Sequence, residues 1–215
     1  MFLSEEEEKA QYIFDIILKD PEKSLMANSI FSGLRIAKET FNREPNIILP
    51  RSAYFFTAYN LTYCINKVLS NLIDKNQFST LSFVETSSGR PDIEYKTNSG
   101  INIQIKKEKS KEKLPISSKH RLKRSANNPI LLDFGDNIDK EIYMLVTFDH
   151  KAFNLRYMQI GIPKDDYSGW IRKWNLMAFV KQDQVEEIVK TNGPIIREEF
   201  IEKINKEYKL ALRQG

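Results

Sequence analysis

The chain has 215 residues, of which 41% are hydrophobic and 11% aromatic. It therefore carries enough apolar side chains to bury a core, and it is expected to fold as one compact domain. This composition excludes an intrinsically disordered protein.

The cellular compartment is predicted from features that the sequence lacks. No apolar run approaches the roughly 18 residues of a membrane span, and the first eight residues are acidic where a signal peptide is basic. The one cysteine, Cys64, has neither a disulfide partner nor metal-ligand spacing around it, and we expect a buried core thiol. These features predict a cytoplasmic protein with no membrane partner.

Positive charge is concentrated in one segment. The formal net charge is +4, but residues 106–124 hold nine Lys or Arg and two Glu, a net +7 that leaves −3 for the rest of the chain. A basic segment on an otherwise acidic chain suits a polyanion, most commonly nucleic acid. The alternative interpretation of this basic segment is a solvated loop.

Helices are predicted ahead of the first strand. Ser4 is followed three residues later by Glu7, a capping-box pattern that begins a helical segment reaching Phe41. Pro21 is predicted to begin a second helix within that segment. A long helix is predicted over residues 52–73, where aromatic and aliphatic residues recur at helical spacing.

Three strands are predicted after the long helix. Residues 78–85 form the first, and a run that begins at Asp92 forms the second, with turn-forming residues on both sides. The third, Ile101–Lys107, alternates strictly, with three isoleucines on one face and three polar residues, among them Gln104 and Lys106, on the other. This is the pattern of a half-buried strand whose Gln104 and Lys106 point in the same direction.

The remainder of the chain is predicted to be a basic loop followed by strands and helices. Residues 107–126 show no clean period and are expected to contain a short helix around residues 117–125. Two strands and two C-terminal helices follow, at residues 141–148, 155–162, 183–189 and 197–212, and Thr191-Asn192-Gly193-Pro194 separates the helices. Trp170 and Trp174, four residues apart as on a helix, fit a core pair better than a base-stacking pair.

These elements predict an α/β (α+β) fold, a mixed sheet flanked by helices with helical extensions at both ends. The expected divisions are an N-terminal helical extension over residues 1–50, a core over 51–180 and C-terminal helices over 181–215, within one compact domain. The sequence has no Gly-rich phosphate loop and no Cys/His cluster, so no organic cofactor is expected. Its two histidines, His120 and His150, predict neither a catalytic triad nor an HNH-type site.

The predicted hairpin carries a pattern known from nucleases. Pro91-Asp92 leads its first strand, and Gln104-Ile105-Lys106 lies within its second. This arrangement resembles the PD-(D/E)XK nuclease superfamily, with Gln104 where Glu or Asp is usual. It is similar to the Asp…Gln-x-Lys variant of Mrr-type and some modification-dependent restriction enzymes.

The resemblance implies a restriction endonuclease-like fold and a metal-dependent endonuclease that hydrolyses DNA phosphodiester bonds, of restriction, defence or repair type. It implies Asp92, Gln104 and Lys106 as catalytic residues. Mg²⁺ or Mn²⁺ would be bound by the Asp92 carboxylate, the Gln104 amide oxygen and the Ile105 main-chain carbonyl. Lys106 would orient the attacking water and stabilise negative charge on the phosphate.

Further side chains fit the same interpretation. Glu85 and Glu94 are each placed to supply an extra acid, although a surface carboxylate is the favoured interpretation of each. The expected phosphate contacts are Lys107, Lys109, Lys119, Arg121, Lys123 and Arg124. A homodimer is expected for an enzyme that cuts both strands.

Two other functions stay open. In the first, the protein has the same fold but is a non-catalytic nucleic-acid-binding module, and Gln104 stands where a metal ligand has been lost. An interaction protein would use the basic segment to bind an acidic partner and its C-terminal helix to dimerise.

Overall fold

The computed structural model describes residues 3–43, 53–74, 81–83, 93–97, 100–126, 128 and 142–214. The α-helices are α1 Glu5–Tyr12, α2 Asp20–Arg43, α3 Ala53–Asp74, α4 Lys119–Ala126 and α5 Gln182–Gln214. The strands are β1 Leu81–Phe83, β2 Ile93–Thr97, β3 Ile101–Lys107, β4 Ile142–Lys151, β5 Asn154–Pro163 and β6 Trp170–Asn175. A π-helical turn, Ile13–Ile17, follows α1, and a 3₁₀ turn, Leu176–Phe179, follows β6.

The six strands form one sheet in the order in which they occur along the chain. Among these strands β3 and β4 run parallel, and every other neighbouring pair is antiparallel. A parallel pair needs a crossover connection, and α4 lies within it. The predicted mixed sheet, flanked by helices and with helices at both ends, is confirmed.

The helical N-terminus begins as the sequence predicts. Ser4 accepts a hydrogen bond from the Glu7 main-chain N–H at 3.3 Å, and Glu7 accepts one from the Ser4 N–H at 2.8 Å. The second helix, α2, starts at Asp20 with Pro21 in its first turn, where the missing N–H costs no helical hydrogen bond. The helical path to residue 41 is interrupted at Leu18, whose backbone is extended.

One hydrophobic core lies between the helices and the isoleucine face of β3. It draws buried residues from the N-terminal helices, from α3, from the central strands and from α5. Cys64 is fully buried in it, as predicted, and burial raises the pKa of its thiol. Across the described residues no helix is both long enough and apolar enough to cross a lipid bilayer.

The C-terminal segment is one helix where the sequence predicts two. The segment Thr191–Pro194 lies inside α5, with Pro194 in the helix interior. Packing explains this outcome, because Asn192 is buried and a Cβ on Gly193 would lie 3.6 Å from Ile36 of α2. Tertiary contact with α2 therefore outweighs the local tendency of Gly and Pro to end a helix.

Strand β6 was not predicted, and the helical spacing assigned to its two tryptophans is wrong. A register shift beside Pro163 bends the β5–β6 pairing. Trp170 packs with Tyr143 on one side of the sheet, whereas Trp174 packs against the main core and stacks on Phe14 at 4.4 Å. Both rings are packed against core clusters, but on opposite faces.

Candidate functional site

The β2–β3 hairpin positions the candidate site. Gly100 closes its turn with φ +84°, a conformation that favours glycine, and donates a hydrogen bond to the Thr97 carbonyl at 3.0 Å. The resulting register places Glu94 directly opposite Gln104. Lys106 lies two residues further along β3 and so shares a face with Gln104. We call this side of the sheet, which bears Glu94, Gln104 and Lys106, the polar face.

The polar face is covered, which differs from the half-buried strand that the sequence predicts. Asn102 and Gln104 are each 1% exposed, and β3 is buried on both sides as far as Ile105. Lys106 is half-buried and Lys107 is exposed. The cover is the segment at residues 108–126, called here the basic crossover.

Hydrogen bonds from β5 and β6 hold the start of the basic crossover on the polar face. The Tyr157 hydroxyl donates to the main-chain carbonyl of Ser110 at 3.0 Å. Gln159 and Lys173 donate to the carbonyl of Lys111 at 2.7 Å and 2.9 Å. Because main-chain carbonyls accept these bonds, these particular contacts do not depend on the side chains of the crossover.

The end of the basic crossover is fixed by polar contacts of α4. Ser125, in its last turn, donates to the Asp165 carbonyl at 3.2 Å. Just beyond the helix, Asn128 donates to the Pro163 carbonyl at 3.0 Å and accepts from the Tyr143 N–H at 2.6 Å. These contacts place α4 over the strands that carry Glu94 and Gln104.

Glu94 is the most buried charge of the site, at 1% exposed, so the expectation of a surface carboxylate is wrong. Arg124 Nη2 lies 3.0 Å from its Oε1, and His120 Nε2 lies 3.1 Å from its Oε2. The two partners are four residues apart and therefore lie on one side of α4. A carboxylate removed from water needs such partners to remain charged.

Gln104 is held by a hydrogen bond from the neighbouring strand. The Tyr143 hydroxyl donates to its Oε1 at 2.8 Å. Burial raises the pKa of Tyr143, so this hydroxyl keeps its proton.

Lys106 and Lys107 lie on opposite sides of the sheet. Lys106 continues the polar face, whereas Lys107 Nζ lies 3.1 Å from His150 Nε2 beside the β4–β5 turn. Partial desolvation lowers the pKa of Lys107. The structure therefore separates Lys107 from Glu94 and Gln104, although the sequence groups it with the phosphate contacts of the basic segment.

The other basic residues divide into engaged and exposed groups. Arg124 pairs with Glu94, and Arg121 donates through Nε to the Ile116 carbonyl at 3.0 Å. Lys109, Lys119 and Lys123 are exposed, and no described residue forms an ion pair or hydrogen bond with their side chains. These three lysines are therefore available to a ligand.

The described residues supply only part of the predicted metal site. Asp92 and Glu85 lie outside them, and within them no group of three or more His, Cys, Asp or Glu side chains is arranged to hold a metal. The Arg124 guanidinium faces one oxygen of Glu94 and the His120 ring faces the other, so a metal does not fit that carboxylate. Gln104 is neutral, so a divalent cation beside it would depend on Asp92 for a carboxylate ligand.

One functional contact escaped the sequence analysis. Glu94 and His120 are 26 residues apart, and their pairing depends on the route of the basic crossover. The only signal in the sequence is the four-residue spacing of His120 and Arg124 on a predicted helix. That spacing identifies a shared face of α4 but does not identify its partner.

Comparison with known proteins found no matching family model, no matching curated protein and no matching solved structure.

Proposed function

We propose that the protein is a metal-dependent endonuclease that hydrolyses DNA phosphodiester bonds, of restriction, defence or repair type. The observation that carries the proposal is the pairing of Glu94 with Gln104 across β2 and β3, with Lys106 next on the same face. An acid, an amide and a lysine are thereby gathered beneath a segment rich in exposed lysines. This combination suits a phosphodiester substrate.

Each residue of the proposed site has a distinct role. Lys106 stabilises the negative charge that develops on the phosphate and orients the attacking water. Asp92, the Gln104 amide oxygen and the Ile105 carbonyl are the proposed ligands of Mg²⁺ or Mn²⁺. When bound, the metal would supply Lewis-acid polarisation of the phosphoryl oxygen.

DNA binding is assigned to the exposed cations of the basic crossover. Lys109, Lys119 and Lys123 contact backbone phosphates in this proposal, and Arg121 lies between the last two. Such contacts give affinity without sequence preference and make binding sensitive to salt. The proposal includes a homodimer, because cutting both strands of a duplex is simplest with two active sites. It also includes a cytoplasmic location.

The experiment that tests this function uses purified wild type, Lys106→Ala and Lys190→Ala. Lys190 is an exposed lysine on α5, away from the hairpin, and serves as the matched control. Each protein is incubated with supercoiled plasmid, single-stranded DNA and RNA in Mg²⁺ and separately in Mn²⁺. Cleavage of DNA by wild type and Lys190→Ala, with loss in Lys106→Ala, supports the proposal.

A second candidate function is a non-catalytic nucleic-acid-binding module. It is favoured by the neutral Gln104 and by the engagement of both Glu94 oxygens with α4. This module would bind DNA in a salt-dependent way and cleave nothing in either metal. Retained binding without cleavage in the same experiment would therefore select it over the endonuclease.

A further inference from the structure

The contact between Glu94 and His120 has the geometry of a carboxylate that orients an imidazole. Glu94 is 1% exposed, whereas the His120 side chain is 50% exposed. The Nε2 atom faces the carboxylate at 3.1 Å. No described residue hydrogen-bonds the other ring nitrogen, Nδ1. One side of the ring is thus fixed in the protein and the other faces outward.

The contact also selects the protonation pattern of the ring. An ionised carboxylate can only accept hydrogen bonds, so Nε2 must carry the hydrogen that lies between the two groups. In the neutral imidazole this leaves the lone pair on Nδ1. Arg124 on the second carboxylate oxygen keeps Glu94 in place and balances its charge.

The location links this imidazole to the proposed site. Glu94 is the cross-strand neighbour of Gln104, and Lys106 follows on the same face. Because His120 contacts Glu94 from α4, it lies over the strands that carry the proposed catalytic residues. A bound phosphodiester on the exposed lysines of α4 would pass beside the open side of the ring.

We propose that His120 is the general base of the reaction and that Glu94 is its positioning residue. This inference rests on the proposed nuclease function. His120 Nδ1 accepts a proton from a water molecule as the water oxygen forms a bond to phosphorus. The bond from phosphorus to the leaving sugar oxygen breaks, and that oxygen takes a proton from solvent. One water is consumed, and the products are a phosphate monoester and a hydroxyl.

The test must distinguish a general base at position 120 from a residue whose role is only to hold α4 in place. His120→Gln keeps an N–H donor for Glu94 but has no basic nitrogen, and His120→Ala leaves space for added imidazole. His150→Gln changes the other histidine of the chain and is the matched control. Cleavage of supercoiled plasmid is measured for each, with DNA affinity measured separately without metal.

The proposal predicts that His120→Gln and His120→Ala lose about 10² to 10⁴ in kcat with DNA affinity unchanged. Added imidazole restores part of the activity of His120→Ala and none of that of His120→Gln, while His150→Gln cleaves like wild type. Wild-type rates in both His120 variants, alongside an inactive Lys106→Ala, would overturn the role of His120 and leave the nuclease intact. Absence of cleavage by wild type would overturn both.

Discussion

The Tyr143 hydroxyl donates a 2.8 Å hydrogen bond to Gln104 Oε1 between two parallel strands of the sheet. Both side chains are almost completely buried. A glutamate at position 104 would bring a second buried negative charge directly opposite Glu94. The neutral amide is therefore electrostatically compatible with a carboxylate across the ladder, whatever its role towards a metal.

Tyr143→Phe removes this donor and leaves a buried amide oxygen without it. We expect a loss of about 1 to 3 kcal/mol in the free energy of unfolding, because a buried acceptor loses the hydrogen bond from the hydroxyl. Urea denaturation followed by circular dichroism measures it. Tyr12→Phe, at an exposed tyrosine on α1, is the control. Equal stability of Tyr143→Phe and wild type would mean that water replaces the hydroxyl.

Arg124→Ala removes the guanidinium that lies 3.0 Å from the buried Glu94 carboxylate. We expect a loss of roughly 2 to 4 kcal/mol, since removing one partner of a buried ion pair leaves an uncompensated charge. Adding Glu94→Gln removes that charge, so the double variant should be more stable than Arg124→Ala alone. Chemical denaturation of all four proteins in the cycle measures the coupling. Losses in the free energy of unfolding that simply add in the double variant would contradict a direct interaction between Arg124 and Glu94.

The proposed DNA binding is expected to depend on salt through the exposed lysines. Lys119→Ala and Lys123→Ala should each weaken binding to any sequence and reduce the slope of log K against log salt by about 1. Fluorescence anisotropy with a labelled duplex at several salt concentrations measures both quantities. Lys190→Ala is the control at an exposed position on α5. An unchanged slope in both α4 variants would remove this helix from the interface.

Acid should destabilise the fold through His150. Its pKa lies below the ordinary value, because burial and the neighbouring Lys107 disfavour the charged ring. The unfolded chain then binds the proton more tightly than the folded one, so stability falls as pH drops through the ordinary histidine value of about 6.5. Unfolding curves from pH 8 to pH 5 should show a smaller decline for His150→Gln. A decline as steep as in wild type would assign the effect to other groups.

Close packing of α2 on α3 requires the glycine at position 33. A Cβ there would lie 2.6 Å from Ile65 Cγ1 and 2.8 Å from its Cα, so Gly33→Ala must push the helices apart. We expect a loss of about 1 to 3 kcal/mol. Gly193→Ala is the matched control, because its nearest neighbour would be at an ordinary 3.6 Å. Thermal unfolding compares the two, and equal melting temperatures would contradict the close approach.

Local patterns predicted much of the fold. The capping box at Ser4 identified the start of α1, and the strict alternation of Ile101–Lys107 identified both the strand β3 and the two faces of its side chains. These features depend on residues within a few positions of one another. The same alternation did not reveal that Asn102 and Gln104 are buried, since the covering segment comes later in the chain.

The errors arise where distant contacts decide the outcome. Pro194 indicates a break, but packing of α5 on α2 keeps the helix continuous. Strand β6 mixes basic and aromatic residues and pairs through a bulge, so its alternation is hidden. The engagement of Glu94 by His120 depends on a crossover whose start is held through main-chain carbonyls, which have no signature in the sequence.

The measurement that tests the central claim most directly is the rate at which supercoiled plasmid is cut in Mg²⁺ by wild type and by Asp92→Ala. Circular dichroism first establishes that both proteins are folded. The proposal predicts that the wild type cuts the plasmid and that Asp92→Ala cuts it at least about 10²-fold more slowly. Equal rates for the two proteins, or no cutting by wild type in either Mg²⁺ or Mn²⁺, would contradict it.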